Sequence, residues 1–247
     1  MTLILLALFI GVVCYACIKY NEIKSIKQVT SITRGERSER KFIVDLMKAG
    51  INPKAIFHDL YFKKPNGEYT QVDLAVATKA GIIVFEIKEY SGWIFGSEHQ
   101  RYWTQVLAYG KEKNRFYNPI MQNAGHINVI RKKLKDNPGI PIYSVIVFCG
   151  NCELKSITCD APNTCIIHPQ SIRKVLAEIL MQPDALYGNK HEIMDVFTEA
   201  VQNGNNPLIV SSQINYASYC GRNTPPSTYT STFRFPFSFR PFRRRFW

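Results

Sequence analysis

Asp73, Glu86 and Lys88 fall within two neighbouring stretches, Tyr69 to Ala77 and Gly81 to Lys88, both rich in β-branched and aromatic residues. A two-residue turn at Lys79-Ala80 pairs Thr78 with Gly81, and the same register sets Asp73 directly opposite Glu86. Side chains alternate with period two, so Gln71 and Asp73 share one face while Glu86 and Lys88 share the matching face of the partner strand. Val72, Leu74 and Val76 then join Ile83, Phe85 and Ile87 on the opposite, core side. A slip of one residue would break this arrangement.

Two carboxylates facing each other across a sheet repel unless a cation sits between them or one is protonated. A hard divalent metal resolves the repulsion. Mg²⁺ (or Mn²⁺) accepts one or two carboxylates and completes its shell with waters and phosphate oxygens, which suits Asp73 and Glu86 as a sparse ligand set. Lys88 would orient an attacking water or stabilise charge on a phosphate in the transition state. Taken alone, Glu86-Ile87-Lys88 is also the pattern of a solvated edge strand with a surface ion pair. Asp73 opposite it and Gln71 beside Lys88 weigh against that plainer reading.

Around this hairpin, Glu36 to Lys48 spaces Phe42, Ile43, Leu46 and Met47 as an amphipathic helix stopped by Gly50. Ala55 to Phe62 precedes the hairpin as the first strand of a three-stranded antiparallel meander. Trp93 to Phe95 and Tyr102 to Leu107 are expected to extend it. Pro119 to Leu134 turns helical, Ile142 to Phe148 is a continuous apolar run suited to a buried strand, and helices follow near Gln170 to Met181 and His191 to Val201. The pattern predicts an α/β fold, a mixed central sheet with helices packed on it.

The chain has 247 residues, long enough for one domain with appendages, and 46% hydrophobic residues supply a core. Its 31 Lys and Arg against 19 Asp and Glu leave a net charge of +12, which favours polyanionic partners such as nucleic acid or an anionic membrane face. Six Arg and no acid lie between Tyr219 and Trp247, so the tail supplies half of the excess. Residues 212–247, polar and then alternately aromatic and basic, are expected to be a disordered tail. No glycine-rich phosphate loop or Gly-x-Ser-x-Gly motif is present.

Leu3 to Ile18 is an unbroken apolar run, about 24 Å long as a helix. Residues 1–20 read as a membrane anchor, with a cleaved signal or a lipoprotein at Cys17 as rivals. Lys19, Lys24, Lys27 and Arg34 follow the run, which places the rest of the chain on the cytoplasmic side. Residues 21–30 are expected to be a linker and 31–211 the folded domain.

Cys149, Cys152, Cys159 and Cys165 are numerous enough for structural zinc, but only the first pair is tight; ordinary reduced cysteine is the default. Lys111, Lys113 and Arg115 could grip phosphates or be plain solvated surface. Trp93 and Trp103 could stack on bases or belong to the core. His58, His99 and His126 read as surface or core residues.

An acidic residue followed after a short gap by Glu-x-Lys on the adjacent strand, behind a Glu-bearing helix, resembles the PD-(D/E)xK nuclease superfamily. The order of Arg34-Gly35-Glu36-Arg37-Ser38-Glu39, Gln71-Val72-Asp73, Gly81 to Lys88, Gly92-Trp93-Ile94, Trp103, Asn118-Pro119 and Gln122-Asn123 is similar to the nuclease-related domain family. The resemblance covers about residues 31–150. It implies a restriction-endonuclease-like fold, with Glu39, Asp73, Glu86 and Lys88 as the active-site set and Glu36 as an alternative to Glu39. Gln122 and Gln71 would support, and Trp103, Lys111, Lys113 and Arg115 would meet nucleic acid. The implied activity is Mg²⁺-dependent cleavage of DNA by a membrane-tethered enzyme. The rivals are a non-catalytic nucleic-acid or protein binding module on the same fold, and a tail that binds anionic lipid.

Overall fold

The computed structural model describes residues 2–212. The tail expected at residues 212–247 lies, beyond residue 212, outside the described residues. An amino-terminal helix, α1 (Thr2–Ile26), precedes a mixed α/β body. From Ile4 to Ile26 this helix is long and apolar enough to cross a membrane, and none of that stretch is buried in the protein. The helix continues to Ile26, so the first part of the stretch expected to be a linker is helical, with Lys19 and Glu22 ion-paired at 2.8 Å along it.

The body begins with α2 (Arg37–Lys48), which buries Phe42, Ile43 and Leu46 at helical spacing. Strands β1 (Ile56–Lys63), β2 (Tyr69–Thr78) and β3 (Gly81–Lys88) follow as an antiparallel meander. Thr78 pairs with Gly81 and Leu74 with Phe85, the register expected from a two-residue turn. Gly81, at φ +131°, lies against the Pro141 carbonyl, so the turn has room for no side chain there.

Strands β4 (Gly92–Ser97) and β5 (Tyr102–Leu107) do not extend the meander. Together with β6 (Glu112–Tyr117) and β8 (Cys152–Thr158) they form a second sheet in the order β6-β5-β4-β8. Glycine explains the departure: Gly92 has φ +76° and no space beside the Val106 carbonyl, and the chain turns out of the first sheet there. The first sheet is completed by β7 (Ile142–Phe148) and β9 (Thr164–Ile167), in the order β1-β2-β3-β7-β9, with β7 parallel to both β3 and β9.

Helices α2 and α4 (Ile172–Leu180) cover one face of the five-stranded sheet through Leu74, Val76, Ile83, Phe85, Val145 and Val147. Helices α3 (Pro119–Lys133) and α5 (Lys190–Asn203) cover the other, through Phe57, Leu60, Ala75, Ile82 and Val84. A third core, with Ile94, Trp103, Ile120, Ile146 and Phe148, joins the second sheet to α3 and β7.

One departure from strand periodicity shapes the site. Phe57 and Leu60, an odd number of residues apart, pack on the same face, as do Val72 and Ala75. Between them Asp59 has a left-handed backbone, φ +57°. Both strands therefore switch faces at Asp59 and Asp73, and Val72 packs with α5 rather than beside Leu74 and Val76 as the alternation predicted.

Candidate active site

β2 and β3 pair through Leu74 and Phe85, and the recorded register ends there. The ladder does not continue to the expected Asp73–Glu86 pair; instead Asp73 Oδ2 accepts the backbone N–H of Ile87 at 2.7 Å. A side chain thus takes a strand donor at the point where the ladder stops. Asp73 is partly open to solvent, whereas Glu86 is fully buried.

Glu86 lies between two basic groups. Its Oε1 is 2.7 Å from Lys88 Nζ and its Oε2 is 3.3 Å from His126 Nε2. Neither contact has the angles of a hydrogen bond, so both buried oxygens retain acceptor capacity. Burial opposes ionisation of Glu86, but Lys88 and His126 outweigh it and hold its pKa below the usual value. Lys88 is likewise disfavoured by burial and rescued by the Glu86 and Asp73 carboxylates, which leave it firmly protonated. Asp73 goes the other way. Burial, then the charges of Glu86 and Glu39, push its carboxyl well above the usual range.

Helix α2 brings Glu39 to the rear of this group. Glu39 is buried, with Oε2 2.9 Å from His58 Nε2, while His58 Nδ1 is 3.0 Å from Thr30 Oγ1. Glu36, the alternative on the same helix, sits at its amino-terminal cap and is exposed. Gln71 is drawn away from Lys88: its amide donates to Asp59 Oδ1 at 2.8 Å, and Arg34 Nε donates to the other carboxylate oxygen at 2.7 Å. The glutamine that touches Lys88 is Gln122 on α3, whose Oε1 accepts from Nζ at 3.1 Å.

Helix α3 is placed by its first residues. Asn118 caps it by accepting from Ile120 N–H, and donates its amide to the Ser97, Glu98 and Gln100 carbonyls of the turn between β4 and β5. Asn123 pins the next turn to the sheet through Val84 O at 3.0 Å and Ser144 Oγ at 2.9 Å. Gln122 and His126 are four residues apart and therefore share a helix face, which is the face turned to Lys88 and Glu86. His126, read from sequence as surface or core, is 7% exposed and belongs to this group.

The proposed nucleic-acid contacts divide. Lys111, just before β6, and Lys113 and Arg115 on it are all exposed. Trp103 is wholly buried: it stacks on Phe148 at 6.1 Å, donates its indole N–H to Ser97 O at 3.0 Å, and lies beneath Gly96. It has no face to offer a base. Burial also pushes the Cys149 and Cys165 thiols up to about 12 and Cys159 up to about 11. Among the described residues no group of three or more His, Cys, Asp or Glu is gathered as a metal-ligand set. The carboxylates of this group that could hold a hard cation are those of Asp73 and Glu86.

The chain is a mixed α/β protein, with helices on both faces of its five-stranded sheet and an ion-paired lysine and two acidic residues near the point where β2 and β3 part. Comparison with known families is more specific. Residues 34–149 match the nuclease-related domain. That stretch includes Glu39, Asp73, Glu86, Lys88, Gln122 and His126. The chain is also 29% identical over 145 residues to an uncharacterised protein of Bacillus anthracis, covering 58% of this chain and 66% of that protein, just under two thirds of its length. No solved structure matches the chain.

Proposed function

We propose that this protein is a metal-dependent nuclease that hydrolyses phosphodiester bonds of DNA and is held at a membrane by α1, with residues 31–211 as the folded domain on the cytoplasmic side. The observation that carries the reading is Glu86: a buried carboxylate with two oxygens free of well-directed hydrogen bonds, near a second carboxyl, Asp73, whose pKa its charge helps to raise. This donor set of hard oxygens fits Mg²⁺ or Mn²⁺. Asp73 and Glu86 would hold the ion, which when bound supplies charge stabilisation at the phosphate and a more acidic water.

The remaining roles follow from protonation and position. Lys88 is protonated, so it donates to the water or to a phosphate oxygen and does not act as a base. Gln122 and Glu86 fix its ammonium group from two sides. His126 orients Glu86, and Glu39, supported by His58, adds negative charge behind Asp73. Lys111, Lys113 and Arg115 supply phosphate contacts that carry no sequence information.

The test uses the full-length chain in detergent micelles with supercoiled plasmid and Mg²⁺ or Mn²⁺, beside Asp73→Ala and Lys88→Ala. Nicking that requires the metal and disappears in both variants supports the assignment. Salt-sensitive DNA binding without nicking, retained by both variants, replaces it with a tethered binding module.

A further inference from the structure

The hairpin of β5 and β6 lies outside the carboxylate site, yet it is built into its walls. Gln105 on β5 donates its amide to Ser91 O at 2.8 Å, three residues past Lys88. At the end of β6, Asn118 caps α3, and Gln122, one helical turn later, contacts Lys88.

Three features of the hairpin have no role in the core. Tyr109, at its tip, is 96% exposed and sits between Ala108 and Gly110 in a run of three left-handed residues, φ +48°, +54° and +98°. That backbone holds an aromatic ring out in water, where a polar residue would serve a turn better. At the base, Tyr102 pairs with Tyr117 across the strands, both residues 38% exposed, with the Arg115 guanidinium 5.1 Å from the Tyr102 ring centre. Between tip and base, Lys113 and Arg115 lie on the same face of the edge strand, and neither is in an ion pair among the described residues.

We propose that this hairpin binds single-stranded nucleic acid, with phosphates along Lys111, Lys113 and Arg115 and unpaired bases stacked on Tyr109 at the tip and on Tyr117 at the base. The proposal rests on the nuclease reading and adds to it a substrate form. Cations alone serve duplex and single strand equally, because both present phosphates. Exposed rings discriminate: a duplex keeps its bases stacked inside, whereas a single strand offers each base face to an aromatic side chain without regard to sequence. The aromatic groups therefore decide between the two.

The experiment measures fluorescence anisotropy of the full chain in micelles, with a chelator present to prevent cleavage. The probes are a fluorescein-labelled oligothymidine of about 20 nucleotides and a blunt duplex of similar length. Tyr109 touches no core residue, so Tyr109→Ser tests the tip without disturbing the fold. The expected result is single-strand binding about 10-fold weaker in Tyr109→Ser with duplex binding unchanged. The double variant Lys113→Glu, Arg115→Glu should weaken both and flatten the salt dependence. Wild-type affinity for the single strand in both variants would overturn the proposal, as would a duplex preference to which Tyr109 is indifferent. Parallel cleavage assays with Mg²⁺ separate the two readings. Cleavage of single-stranded DNA at wild-type KM by both variants overturns the hairpin proposal alone. Hairpin-dependent binding by a wild type that does not cleave supports the hairpin and overturns the nuclease.

Discussion

Gly35 is packed directly against the Glu39 carboxylate. Its backbone is left-handed, φ +64°, and a Cβ there would collide with Glu39 Oε2 and with the His58 ring. The loop before α2 thus closes over the Glu39–His58 pair because it carries no side chain at this point. Gly35→Ala combines an unfavourable φ with a steric clash and should destabilise the protein by about 1–3 kcal/mol. Thermal melting followed by circular dichroism would show the loss; a variant as stable as the wild type would mean that the loop can move aside.

Asp73 is the opposite case, a residue that the fold tolerates at a loss. Its carboxyl pKa is raised above the ordinary 3.8, so its contribution to stability is full below that value and is lost as pH rises through the folded pKa. Asp73→Asn removes the titration and retains an oxygen for the Ile87 N–H. The variant should melt higher than the wild type at pH 8 and lose that advantage near pH 4, while metal-dependent cleavage falls by about 100-fold or more. At limiting metal, wild-type cleavage should rise with pH as Asp73 loses its proton and becomes available to the ion, read from a rate profile.

Lys88 and Gln122 are expected to separate stability from chemistry. Removing the ammonium in Lys88→Ala leaves Glu86 buried with only His126 beside it, a loss of roughly 3–5 kcal/mol by analogy with broken buried pairs. Gln122→Leu leaves the ion pair intact and removes only the neutral acceptor. It should melt like the wild type and lower kcat about 10-fold. Equal loss of stability in both would assign Gln122 to the fold instead.

Trp103 supplies a control for binding. Trp103→Phe keeps an aromatic ring against Phe148 but loses the hydrogen bond to Ser97 O, whereas Trp103→Ala should cost about 3–5 kcal/mol. Nucleic-acid affinity of Trp103→Phe, measured below its melting temperature, should match the wild type.

Arg34 tests whether the face switch matters. Its guanidinium bonds the Asp59 carboxylate, the Asp59 carbonyl and the Val201 carbonyl of α5. Arg34→Met strands a buried Asp59 and should destabilise by about 3 kcal/mol. Hydrogen exchange should rise first in β1 around Asp59 and at the end of α5.

The hairpin carrying Asp73 and Glu86 was legible in sequence because alternation and a two-residue turn leave one register. Leu74 opposite Phe85 and Thr78 opposite Gly81 follow from it. Asp59 was not legible, since a single left-handed aspartate inside an apolar strand leaves no periodic trace until both strands are seen to switch faces with it. That switch turns Gln71 toward Asp59 and gives its expected place to Gln122. His126 escaped for a different reason: helix spacing places it with Gln122, but only tertiary packing shows that their shared face meets Glu86. Strand β6, reading Glu-Lys-Asn-Arg, lacks any apolar alternation and exists because β5 offers it a partner.

Among the described residues strand β6 also has a second, unpaired side, since it ends its sheet. A free strand edge is an invitation to self-association, and the charges of Glu112, Lys113 and Arg115 discourage another copy from adding to it. Charge reversal at Lys113 and Arg115 preserves that guard, whereas neutral, β-branched replacements would remove it. Concentrated stocks of a Lys113→Thr, Arg115→Val variant should form large oligomers, visible by light scattering, while the reversed variant remains dispersed.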